Sequence, residues 1–148
     1  MAKSTFVYTI YIRTSAERLW EALTSPQFTK EYWFGMELRT DWKPGSSWRL
    51  LFPDGRVADM GEIVEVEPPR RLVLRWRNEW MPEMKAEGEA FCTMSLEPAD
   101  GAIKLTVTHE IAREDSVLIQ KVSGGWPRIL SNLKSLLETG QLAFAKTP

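Results

Sequence analysis

Hydrophobic and polar positions alternate with period two through residues 5–13, where Phe6, Tyr8, Ile10 and Ile12 share one face. With their β-branched and aromatic content these residues predict a half-buried strand. Ser15 then stands before Ala16, Leu19, Trp20 and Leu23, whose spacing is helical, so Ser15 is the expected N-cap. Ser25-Pro26 opens a second short helix over residues 27–33, which ends near Gly35. Beyond Gly35 the period returns to two. Leu38, Thr40 and Trp42 alternate with Arg39 and Asp41, and Trp48, Leu50 and Phe52 follow a turn at residues 43–46. Further strands are expected over residues 58–66, 71–78, 90–96 and 103–111, the last two joined by the hairpin signal Asp100-Gly101. Residues 79–88 are polar and rich in Met, and predict a loop. Residues 116–121 suggest a turn or two of helix before Gly124-Gly125, and Trp126, Ile129, Leu130, Leu133, Leu136 and Leu137 then form a helical stripe that stops at Gly140.

The expected order is strand, two short helices, about six antiparallel strands, and one long helix. A sheet and a helix with one apolar face each must bury those faces against one another, so the fold class is α+β with the sheet wrapped round the helix. The 148 residues suit one domain over 1–148, and 43% hydrophobic with 26% charged residues is a globular composition. Lys+Arg 19 against Asp+Glu 20 leaves a net charge of −1, without the basic surplus that nucleic acid or an anionic membrane would call for. Cys92 is the sole cysteine and His109 the sole histidine, so neither a disulfide nor a clustered metal site is expected, and no cofactor is implied. The N-terminal residues carry no signal-peptide pattern and no apolar run approaches a membrane span, which predicts a cytoplasmic protein. Composition is unusual in one respect: Trp 7 of 148 residues, which predicts an aromatic interior.

The chain resembles the START/Bet v 1-like (SRPBCC) superfamily, in the bacterial branch related to the C-terminal domain of the activator of the 90-kDa heat-shock protein ATPase. The resemblance rests on residues 12–24 (IRTSAERLWEALT), Trp33, residues 61–63 and 67–72, residues 105–109 (LTVTH), and residues 123–137 beginning Ser-Gly-Gly-Trp. It implies a helix-grip fold with a cavity between sheet and long helix. Its members include ligand binders, cyclases and co-chaperones, so function has to be argued from the site. The chain matches the single C-terminal-type domain of the activator, so a chaperone partner ranks below ligand binding.

Strand parity selects the inward residues. A short turn at Asp100-Gly101 sets Leu96 opposite Leu105, Met94 opposite Val107 and Cys92 opposite His109. A three-residue connection around Pro69 sets Val66 opposite Leu72, Val64 opposite Leu74 and Glu62 opposite Trp76, which turns Glu62 inward. Pairing the Trp48 face with Met60 and Glu62 requires an odd-length turn or a bulge near Asp54-Gly55. The expected cavity lining is therefore Trp33, Trp42, Trp48, Trp76, Met94, Val107, Trp126 and Leu130, with Glu62 and His109 as polar anchors. Such a lining suits a small hydrophobic ligand, lipid-, polyketide- or flavonoid-like; the plain alternative is that the indoles only pack. An enzyme of cyclase or hydratase type would use Glu62 and His109 as acid and base. A Cys92–His109 nucleophilic pair lacks a third orienting residue. Trp80, Met81 and Met84 in the polar loop suit a lid, Lys85, Glu87 and Glu89 read as solvated, and the Arg70, Arg71, Arg75 and Arg77 cluster as cross-strand partners of Glu65 and Glu67. A monomer and a weak homodimer are both open, and an exposed Phe91 or Phe144 would contribute to a dimer contact.

Overall fold

The computed structural model describes residues 2–144. Strand β1 (Ser4–Ile12) leads into helices α1 (Ala16–Thr24) and α2 (Pro26–Tyr32). Six strands follow: β2 (Glu37–Thr40), β3 (Ser47–Leu51), β4 (Val57–Glu67), β5 (Arg71–Asn78), and, after the short helix α3 (Pro82–Lys85), β6 (Ala90–Ala99) and β7 (Ala102–Ile111). The chain then enters α4 (Val117–Thr139). The sheet order is β1-β7-β6-β5-β4-β3-β2, antiparallel throughout. This is the α+β helix-grip architecture, with α4 lying in the curve of one continuous sheet.

Local chemistry explains most boundaries. The Ser15 side chain accepts from the Arg18 amide at 3.1 Å and starts α1. Asp100 and Gly101, both at positive φ, form the two-residue β6–β7 turn, and the register it imposes pairs Cys92 with His109, Met94 with Val107 and Leu96 with Leu105 as parity required. Gly140 closes α4 in the left-handed conformation at φ 81°.

Three elements depart from the sequence pattern. First, α4 runs unbroken through Gly124-Gly125 and Pro127, although two glycines cost about 1 kcal/mol each relative to Ala and Pro127 removes a helical donor. Leu118 and Ile119 before the pair, and Trp126, Leu130 and Leu133 after it, are all buried, so packing on both sides outweighs local propensity. Second, Glu87 is no solvated loop residue. It accepts from the Ser116 hydroxyl at 2.6 Å, the Val117 amide at 2.7 Å and the Leu118 amide at 3.3 Å, and so caps α4 from the neighbouring loop. Partial burial pushes its pKa up, but those three donors outweigh burial and hold it below the usual value. Glu87→Gln keeps the shape and removes the charge; a loss of about 1 kcal/mol in urea denaturation is expected above pH 5, shrinking as acid protonates Glu87 in the parent.

Third, β4 carries two irregularities that reset its faces. Val66 pairs with Leu72 as expected, but the register shifts between Ile63 and Glu65, so Leu74 meets Ile63 and Trp76 meets Gly61. A second shift at Leu50/Leu51 pairs Trp48 with Gly61 and Leu50 with Asp59. One extra residue exchanges the two faces of a strand. Glu62 therefore points outward, opposite Arg75, with its carboxylate 3.9 Å from the guanidinium; the inward placement expected from parity is corrected. Its place on the inner face is taken by Gly61 and Asp59. The outer arginines do pair with acids, Arg70 with Glu67 and Arg71 with Glu65.

Candidate functional site

The sheet interior is filled with side chains. Trp48 is fully buried, donates its indole N–H to the Arg75 carbonyl at 2.9 Å, and lies 4.6 Å from the Trp76 ring. Met94, Val107 and Leu130 are buried in the same core and are not among the walls of the cavity described below. Trp42 stands beyond the end of β2 at φ 55° and donates to the Thr24 carbonyl at 2.9 Å, so it holds α1 and is no part of a lining. The strand ends at Thr40, and the period-two pattern does not extend to Trp42.

His109 lies beneath the Trp76 ring, with centroids 5.0 Å apart. The Trp126 indole N–H donates to its Nδ1 at 3.1 Å, which places the imidazole proton on Nε2, and Nε2 has no partner among the described residues. Burial pushes the His109 pKa down to about 3, and burial pushes the Cys92 thiol up. Both groups are therefore neutral near pH 7, and the thiolate–imidazolium pair has no basis here. With Glu62 on the opposite face of the sheet, Glu62 and His109 share no site in which they could act as acid and base.

Space opens at the mouth of the grip. A cavity of about 300 Å³ lies between the inner face of β3–β5, the α3 segment and the first half of α4, walled by Trp33, Leu50, Trp76, Trp80, Met84, Leu118, Val122, Trp126 and Ile129, with Gly125 leaving room at its edge. Three expected lining residues, Trp33, Trp76 and Trp126, meet here; Trp33 lies 5.2 Å from Trp126 and 6.3 Å from Trp76. Trp80 and Met84, the suggested lid residues, close the side. Trp80 is 51% exposed and stands edge-on to Phe52 at 5.4 Å. A second groove of about 420 Å³ continues past Trp33, Gly125 and Ile129 to Phe34, Met36 and Phe52.

The polar anchor is one that strand parity missed. Asp59 faces the cavity and is 9% exposed. Asn78, its partner across β4–β5, donates to Asp59 Oδ1 at 3.0 Å and accepts the Met81 amide at 2.8 Å, so one amide ties the carboxylate to the segment that enters α3. Burial raises the Asp59 pKa to about 6; the Trp76 indole beside it and Asn78 counteract that rise, and Glu79 adds to it. The Trp76 N–H lies near the carboxylate without completing a hydrogen bond. The only hint in the sequence was an acid within a strand whose parity two bulges would have to change.

A curved antiparallel sheet gripping a long helix, with an indole-lined cavity at its mouth, defines a helix-grip protein of the Bet v 1-like class. The chain belongs to the family described as activator of Hsp90 ATPase homolog 1-like protein, which matches residues 13–138. Solved structures share the fold. Protein MLL2253 from Mesorhizobium loti is 25% identical with a TM-score of 0.80, the alignment covering 94% of this chain and 100% of that one. The Aha1 dimer from Colwellia psychrerythraea is 18% identical with a TM-score of 0.75, covering 93% and 98%. DynU16, a putative protein in the dynemicin biosynthetic locus, is 23% identical with a TM-score of 0.76, covering 97% of this chain and 51% of that one. No curated protein matches the sequence significantly. Among the described residues no helix is long and apolar enough to cross a membrane.

Proposed function

We propose that the protein binds a small, ring-containing, largely apolar molecule at the mouth of the grip, without chemical conversion. The observation that carries this reading is the indole-walled cavity of about 300 Å³ with a single buried carboxylate at its side. Pockets for small molecules start near this size and combine an apolar wall with few polar groups, roughly 300–1,000 Å³. Trp33, Trp76 and Trp126 are the ligand-contacting indoles in this reading, and Trp80 with Met84 forms the adjustable side.

Titration with lipid-, polyketide- and flavonoid-like compounds, read on indole N–H resonances, tests it. A ligand of the cavity shifts Trp33, Trp76 and Trp126 and leaves Trp42 in place. Gly125→Leu supplies the steric control. A side chain built at Gly125 meets nothing within 4 Å at its first carbon, and leucine favours helix, so the fold is retained while the cavity is filled. Binding should weaken by about tenfold or more in that variant. A compound that binds both forms equally, or that shifts none of the three indoles, defeats the reading.

Family membership favours a second reading, contact with an Hsp90-type chaperone. The groove beside Phe34, Met36 and Phe52 is then the apolar surface available to a partner. Acceleration of the host chaperone's ATPase that is lost in Phe52→Ser supports it, and an unchanged ATPase rate rejects it.

A further inference from the structure

Asp59 is nine-tenths buried and turns its carboxylate to the indole-walled cavity. Oδ1 accepts from Asn78, and the Trp76 N–H lies beside the carboxylate, where it lowers the pKa although its geometry is too loose for a full hydrogen bond. A carboxylate enclosed by indoles and aliphatic side chains is costly unless something of opposite charge or a strong donor reaches it. We propose that the cavity takes a ring-bearing molecule that carries a protonated amine, with Asp59 as its counter-ion and Trp33, Trp76 and Trp126 as its apolar wall. This rests on the reading of the cavity as a ligand site and adds the charge of the ligand.

The surroundings select a cation over the other possibilities. An anionic ligand would bring like charge against Asp59 in a poorly solvated space. A neutral hydroxyl would donate a hydrogen bond to the carboxylate but leave its charge uncompensated. An ammonium supplies both the bond and the charge, and indoles are the aromatic side chains that attract cations best. The other charges near Asp59 are accounted for. Glu79, just after β5, is held by Arg77 and Lys85, and Lys121 on α4 is an exposed ammonium at the rim, where solvent and salt screen it. His109, behind Trp76, is neutral. Of the two charged residues lining the cavity, Asp59 and Lys121, the buried one is therefore negative.

Three isosteric probes separate the alternatives: 2-(1-naphthyl)ethylamine, 2-(1-naphthyl)ethanol and 1-naphthaleneacetate, titrated by calorimetry and followed on the indole N–H resonances at pH 7.5. The amine is expected to bind about tenfold or more tighter than the alcohol, with the acetate weakest. Asp59→Asn should abolish the preference for the amine while leaving the alcohol's affinity within about twofold. If that variant does not fold, the parent protein at pH 5 replaces it: Asp59 is largely protonated there, and the amine-to-alcohol ratio should fall toward unity. Amine and alcohol binding equally at pH 7.5 while the cavity indoles shift would overturn the charge assignment and leave the ligand site standing. A ratio that persists in Asp59→Asn, or at pH 5, also overturns it. Failure of all three probes to move Trp33, Trp76 or Trp126 rejects both readings together.

Discussion

Replacing Gly61 by alanine should cost about 3 kcal/mol or more of folding stability, the largest effect expected of a Cβ added at any of the protein's glycines. A Cβ at Gly61 would lie 1.9 Å from the Arg75 carbonyl oxygen, 2.7 Å from its carbon and 2.9 Å from Trp48 Nε1. Two of those atoms are backbone, which cannot swing aside as a side-chain tip can. The third belongs to the indole that donates to that same carbonyl. Gly61 is therefore the point where β4 lets Trp48 cross to β5, and Trp76 stacks on the result at 4.6 Å. The methyl would push apart the strand pair, the indole hydrogen bond and one wall of the cavity at once. Gly124→Ala is the matched control: its added methyl meets nothing within 4 Å, and alanine suits a helix better, so a gain of about 0.5–1 kcal/mol is expected. Urea denaturation of both variants measures the contrast. A loss below about 1 kcal/mol for Gly61→Ala would show that β4 and β5 can part cheaply, against this account.

Asp59 and His109 should give the protein two hidden and opposite responses to pH. His109 has its pKa driven by burial to about 3, below the ordinary 6.5, so as pH falls below 6.5 the unfolded chain takes up a proton that the folded chain refuses. Stability is then lost on acidification, at about 1.4 kcal/mol per pH unit. Asp59 is raised by burial to about 6 from 3.8, so as pH falls below 6 the folded chain takes up a proton that the unfolded chain refuses. Stability is then gained on acidification, with the same slope. Between about pH 6 and 4.5 the two cancel, and the parent protein should show a nearly flat stability from these groups. Each variant exposes the other residue. Asp59→Asn should lose about 1.4 kcal/mol per unit as pH falls through that window, and His109→Gln, whose amide oxygen can still accept the Trp126 N–H, should gain about as much. Denaturation midpoints at half-unit steps decide it. Slopes of the same sign in both variants would refute the assignment. Glu79, Glu87, Glu138 and Asp54, all held below their ordinary values by hydrogen-bonding partners, add their own acid losses only below about pH 4.5.

Parity was a sound guide where the turn was short and its chemistry explicit. Asp100-Gly101 dictates a two-residue hairpin, and the Cys92–His109 pairing follows from counting. The same counting holds across Pro68-Pro69-Arg70, where Val66 meets Leu72, and fails further along β4, because the extra residue lies inside the strand rather than in the turn. Nothing about Val64 distinguishes it as the extra residue, being β-branched like its neighbours Ile63 and Val66. The consequence fell on the most chemically interesting positions: Glu62 exchanged faces with Asp59, and the polar anchor moved from the sheet centre to its mouth. Glu87 illustrates a different limit. A polar loop and a serine that begins a helix some thirty residues later reveal a contact between them only when the fold brings them together.

From the amino-acid order alone come the order of the strands and main helices (though not the short α3), the sheet wrapped on one helix, the aromatic interior and the family. These depend on short-range periodicity and on turn residues, whose physical preferences act within a few positions of themselves. Tertiary structure decided that the interior beneath Trp76 is full, that open space lies between α4 and the α3 segment, and that Asp59 is the carboxylate facing it. Those outcomes depend on bulges and on packing between residues far apart in the chain, where a shift of one position reverses which side of a strand is buried.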